Sequence, residues 1–109
     1  MSRGRHIPGA FAAILLVAGL ADASAQEPAA RGRALLKENC AGCHAIDKGD
    51  ASPHRAAPPF RIIGESFDLD RFARQLRRGV ASSHPDMPEF HFNADDADAV
   101  VAYLRTIQQ

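Results

Sequence analysis

Apolar residues recur at helical spacing in the last third of the chain, and this pattern sets most of the expected fold. Leu69, Phe72, Ala73, Leu76 and Val80 fall at i, i+3, i+4, i+7 and i+11, the stripe of one buried helix face. A helix is therefore predicted over Leu69 to Arg78. Asp68 is placed to cap its N-terminus and Gly79 to end it, with Arg77 and Arg78 at the negative end of its dipole. Ala97, Val100, Val101, Leu104 and Ile107, beside Tyr103, predict a final helix from Ala94. Asn93 is its N-cap, and Asp95, Asp96 and Asp98 sit in its first turns.

An earlier helix is predicted from Pro28 to Cys40. Proline suits a first turn, and Ala30, Arg33, Ala34, Leu35, Leu36, Lys37 and Glu38 are good helix formers. Gly32, Leu36 and Cys40 recur every fourth residue and so share a face, expected to point toward whatever Cys40 binds. Glycine inside a helix costs about 1 kcal/mol against alanine, so Gly32 predicts close approach of a second helix.

Residues 45–67 and 81–92 carry no sustained period and read as loops. The first holds Gly49, Pro53, Pro58, Pro59 and Gly64, the second Pro85 and Pro88. A structureless loop of about 20 residues in a small domain needs a reason. Wrapping one edge of a flat apolar group is such a reason, with Phe60, Ile62 and Ile63 as its contacts. No segment reads as a strand, so the fold expected is small and all-α.

The N-terminus changes the domain count. Arg3 and Arg5 precede an apolar stretch from Ala10 to Ala21, and Ala23-Ser24-Ala25 has the form of a leader cleavage site. The stretch is well short of the roughly 20 residues that span a bilayer, which disfavours an uncleaved anchor. Residues 1–25 are read as a cleaved secretory signal and 26–109 as one domain, with no membrane span left. The 84 residues that remain are near neutral in charge, without the basic excess of a nucleic-acid binder, and show neither repeat nor low-complexity tract. A domain this short buries only about 60–65% of its unfolded surface, so a large apolar cofactor would complete its core.

The chemistry centres on Cys40-Ala41-Gly42-Cys43-His44, a Cys-x-x-Cys-His sequence that uses both cysteines of the chain. Two thiols at this spacing can each add across a haem vinyl group, and the histidine that follows can reach the iron. A thioredoxin-like pair would need a preceding strand, and a helical pattern stands there instead. A structural zinc site would need a second ligand pair, and a plain disulfide would leave His44 without a task. Covalent haem c through Cys40 and Cys43, with His44 on the iron, is the expectation. Export to a bacterial periplasm suits it, since reduced thiols must meet haem outside the cytoplasm. The other axial position has several candidates. Met87, in Pro85-Asp86-Met87-Pro88, is the single methionine after leader removal; His84, His91 and His54 are its rivals.

The ordered set of features resembles the class I, small monohaem c-type cytochromes over almost all of the expected mature chain. Gly32-x3-Leu36-x3-Cys40 is similar to the family's N-terminal helix, and Val100-Val101-Ala102-Tyr103-Leu104 to its C-terminal helix. In the family these helices cross with the glycine against the aromatic residue. Ala57-Pro58-Pro59-Phe60 resembles a Gly-Pro-x-Leu segment whose proline carbonyl orients the haem histidine, with Pro58 the better match and Pro59 open. Met87-Pro88 resembles the axial-methionine motif, which favours Met87 over the histidines.

The resemblance implies three main helices and long loops around one covalent haem, bound by Cys40, Cys43, His44, Met87, Pro58 and Phe60. With both axial positions filled, the expected function is electron transfer and not catalysis. The protein is expected as a monomer that docks redox partner proteins transiently near the haem edge, and the arginine side of the second helix is a candidate patch for an acidic partner. Two rivals stay open: an enzyme or enzyme subunit with a labile methionine, reacting with peroxide or a small gas, and a sensor or assembly protein that exchanges iron ligands.

Overall fold

The computed structural model describes residues 2–4, 8–10 and 20–109, the side chains of 20–26 excepted. Most of the apolar stretch of the expected leader, residues 11–19, lies outside the described residues. Three α-helices carry the fold: α1 Leu20–Asn39, α2 Leu69–Arg78 and α3 Ala94–Ile107. α3 lies between the other two and packs on both.

Both caps expected for α2 and α3 are formed. The Asp68 carboxylate accepts from the backbone N–H of Asp70 at 2.8 Å and of Arg71 at 3.2 Å, and Asn93 accepts from Asp96 N–H at 2.8 Å. These bonds satisfy N–H groups that the first turn leaves without partners. Gly79 ends α2 with φ 114°, in the region that favours glycine. α1 differs from expectation at its start: it begins eight residues before Pro28, which stands inside it. Leu20-Ala-Asp-Ala-Ser-Ala-Gln-Glu27 is rich in alanine, the best helix former, so the chain continues the helix and gives up one N–H bond at the proline.

The core joins Leu36 of α1, Phe72 and Leu76 of α2, and Val100, Val101, Tyr103, Leu104 and Ile107 of α3. The expectation that Gly32, Leu36 and Cys40 aim one face at the cofactor is corrected. Leu36 is buried in this core and Gly32 lies against α3; Cys40 alone of the three reaches the cleft described below. Four residues turn a helix by 400°, so each step moves the side chain about 40° round the axis, enough to share the row between two neighbours. The close approach predicted at Gly32 is present: the atoms nearest to a Cβ placed there are backbone atoms of Ala99 and Val100.

The segment 45–67 is not wholly irregular. Phe60–Glu65 forms a 3₁₀ helix after Pro59, short enough that no helical period shows in the sequence. Its Phe60 is buried in the core, and Phe60 N–H donates to Ala45 O at 2.9 Å. The second loop is tied at its base. Val80 and Phe90 exchange backbone hydrogen bonds of 2.9 and 3.2 Å, and Phe92 N–H donates to Leu76 O at 2.9 Å. Residues 81–89 thus form a loop with closed ends, the usual build of a compact functional loop.

A polar junction holds the segment after His44 to both long helices. Tyr103 O–H lies 2.7 Å from Ile46 O and 2.6 Å from the Asp47 carboxylate, and Arg33 donates twice to the same carboxylate at 2.9 Å. These bonds, Arg33 first, hold the Asp47 carboxyl down at about 2. Burial, then the facing carboxylate, pushes the Tyr103 phenol up to about 12. A lowered carboxyl stabilises the fold above the unfolded-chain value near 3.8 and loses that contribution as pH falls toward 2. Asp47→Asn should therefore flatten the decline of stability between pH 4 and 2 while weakening the fold at pH 7. Urea melts of both proteins across that range check it, and equal acid slopes would sink the assignment.

Candidate haem site

α1 ends at Asn39, and the chain turns at once through the Cys-x-x-Cys-His sequence. Cys40 and Ala41 N–H both donate to Leu36 O, at 2.8 and 3.0 Å, and His44 N–H donates back to Cys40 O at 2.9 Å. The helix end thus winds both thiols and the imidazole into one turn. Cys40 is half-buried and Cys43 exposed, and both are free thiols. Burial, with a smaller effect of Cys43, pushes the Cys40 thiol up to about 11. It stays protonated at neutral pH, the form in which an S–H adds across a double bond.

The His44 ring is held from two sides. Its Nδ1 lies 2.8 Å from Pro58 O, and because a carbonyl can only accept, Nδ1 carries the proton. The ring also stacks on Phe60, centroids 4.5 Å apart and planes 26° from parallel. One tautomer and one orientation result, with Nε2 left bare for a metal. Between the two prolines, the carbonyl that engages His44 is that of Pro58. Pro59 instead caps the 3₁₀ helix.

His44 opens onto a cleft of about 670 Å³, open to solvent on one side. Cys40 and Cys43 form one part of its lining; Ala56, Ala57 and Pro58 come from the first loop, and Met87, Pro88 and Phe90 from the second. Its lining is mostly apolar, as in cofactor sites. Cys40, Cys43, His44, Pro58 and Met87 are thereby brought together from three separate stretches of chain.

Phe60, Ile62 and Ile63 do not line the cleft as expected. Phe60 and Ile63 pack on the core instead, and Phe60 reaches the site only through the His44 ring. The turn at Pro59 rotates this stretch inward, a conformation that hydropathy does not encode. Phe90 was missed as a lining residue because the loop around it has no period. Of the rival histidines, His54 and His84 line the cleft, whereas exposed His91 pairs with Glu89 at 3.1 Å. The donor set fits a covalent haem: two free thiols, the His44 imidazole nitrogen held in one orientation, and a thioether from the second loop.

Comparison with known proteins agrees. The sequence model of the family "Cytochrome C oxidase, cbb3-type, subunit III" matches residues 27–104. The chain belongs to this cytochrome c family. A relative within reach of sequence comparison is cytochrome c-552 of Bradyrhizobium diazoefficiens, 26% identical over 103 residues, which cover 94% of this chain and 96% of the relative. No solved structure gives a significant match. The family match takes in α2, all but the last turn of α3, most of α1 and the whole cleft, so this c-type cytochrome domain coincides with the helical body. Among its described residues, no helix is long and apolar enough to cross a membrane.

Proposed function

We propose that the chain is a periplasmic electron carrier, exported by a leader at residues 1–25 and holding one haem c in the cleft. Cys40 and Cys43 would attach the group, and His44 and Met87 would hold its iron. Bound haem would supply a one-electron change between ferric and ferrous iron, and the weak, soft thioether would raise its reduction potential relative to two histidines. The chain's part is to hold both ligands through that change. The observation that carries the reading is His44: its Nδ1 is committed to Pro58 O and its ring to Phe60, in a cleft whose other loop supplies Met87.

Transfer would occur where the chain leaves the group uncovered, near exposed Cys43. Redox proteins would dock there transiently through a small interface. The arginine face of α2 is less free than its sequence suggests, because Arg77 pairs with Asp98 of α3. Arg71, Arg74 and Arg78 remain exposed and would favour an acidic partner. The family's name supports a second reading, the haem subunit of a cytochrome c oxidase, in which the same cleft passes electrons within a stable complex.

The oxidised protein should show the weak near-infrared charge-transfer band of a sulfur–iron bond, and Met87→Ala should abolish it and give high-spin iron. High-spin iron in the native protein, or steady peroxide turnover, would exclude the carrier. Co-purification with oxidase subunits through gel filtration separates the subunit from the free carrier.

A further inference from the structure

Outside the ligands just assigned, one cluster of side chains stands unexplained at the cleft. His54 of the first loop and His84 and Asp86 of the second converge there, each able to offer one ligand atom, all within 4.8 Å of one another. His54 Nε2 lies 3.2 Å from Asp86 Oδ2, and His84 Nδ1 lies 4.0 Å from the same oxygen. The two imidazoles meet edge to face, their centroids 5.4 Å apart.

We propose that these three residues form a site for a divalent transition-metal ion that joins the two loops over the cleft. Two imidazoles and a carboxylate are the donor set of three-ligand zinc sites, which leave a fourth position to water. The same donors bind copper(II) and nickel(II), and carry too much nitrogen for calcium or magnesium. Donor separations of 3.2 and 4.0 Å are those of atoms that share one ion, so small side-chain rotations complete the site. What is given up is modest: Ala56 N–H to His54 Nδ1 and Asp86 N–H to His84 Nδ1 are long hydrogen bonds, 3.2 and 3.3 Å. The arrangement also crosses the fold. His54 is 32 positions from Asp86, so an ion here ties residues 45–59 to the loop that carries Met87.

The test uses the mature haem-loaded protein and zinc chloride, chosen because zinc takes no electron from the haem. Calorimetry should give one zinc per chain with a Kd in the micromolar range. His54→Ala and His84→Ala should each weaken binding at least tenfold, whereas His91→Ala should leave it unchanged. The near-infrared sulfur–iron band should persist when zinc is added. Absence of saturable binding below 100 µM overturns the site, as does binding that survives both histidine variants or that falls equally in His91→Ala. Loss of the band on adding zinc would show that ion binding pulls Met87 from the iron, and would overturn a site that joins the loops beside a ligated haem. A protein that lacks the band before any zinc is added contradicts the Met87 ligation instead and leaves the zinc result to be read by itself.

Discussion

Gly32→Ala should destabilise the fold by about 3 kcal/mol and lower the melting temperature by about 15 °C. The substitution adds one methyl group and improves helix propensity by about 1 kcal/mol, so on an open helix face it would stabilise. Here the new Cβ would run into Ala99 O and stand 2.5 Å from Ala99 C and 2.9 Å from Val100 Cα. Those atoms are backbone of α3, which no rotamer change can move aside. α1 and α3 must separate along their crossing, and Leu36, Val100 and Leu104, all buried at that seam, lose contact together. The cost therefore exceeds the usual range of about 1–3 kcal/mol for an overpacked core and outweighs the propensity gain. Gly49→Ala is the control, because a Cβ there meets nothing within 4 Å and should change stability by less than about 0.5 kcal/mol. Thermal and denaturant melts of the haem-loaded proteins decide it, and equal stability of the two variants would refute the close crossing.

Gly32 also shows how far the sequence could be read. A glycine in a run of strong helix formers asks for a close neighbour, but its own environment cannot say which atoms arrive. The nearest atoms belong to the α3 main chain, at Ala99 and Val100. α2 was legible to the residue because stripe, cap and terminator agreed, and the start of α3 because stripe and cap agreed. The start of α1 was not, since Pro28 is equally at home in a first turn and, at the loss of one bond, inside a longer helix. The cleft was legible wherever covalent spacing fixes chemistry, as at Cys40, Cys43 and His44. Phe60 was misplaced because a 3₁₀ turn decides which way it faces, and 3₁₀ turns leave no period to read. His54 stayed without a role for a different reason: its partner Asp86 is remote in sequence, and only the folded loops bring the two together.

Removal of Cys40 and Cys43, the proposed haem anchors, should divide the molecule into a stable half and a loose half. In a Cys40→Ala, Cys43→Ala chain freed of haem, the amides of α3 should exchange at least about a thousandfold more slowly than those of residues 81–89, and the melting temperature should fall by at least about 15 °C. The reason lies in where the packing is. Leu36, Phe72, Leu76, Val100 and Leu104 bury one another without the cleft, so the contacts of α1, α2 and α3 survive. Residues 81–86 are exposed throughout, and their loop is closed by the Val80–Phe90 pair, with Met87 N–H to His84 O at 3.2 Å as a bond inside it. An apolar cofactor in the cleft would give Pro58, Met87 and Phe90 the surface they lack, and its two thioether links would keep that surface at a high effective concentration. A chain this short has little stability to spare, so a loss of about 3 kcal/mol already accounts for the fall in melting temperature. Amide exchange followed by mass spectrometry on the loaded and cofactor-free proteins separates the cases. Protection of residues 81–89 equal to that of α3 in the cofactor-free chain would mean that the loop is built by the protein alone, and that the cleft is not the place where a haem completes the core.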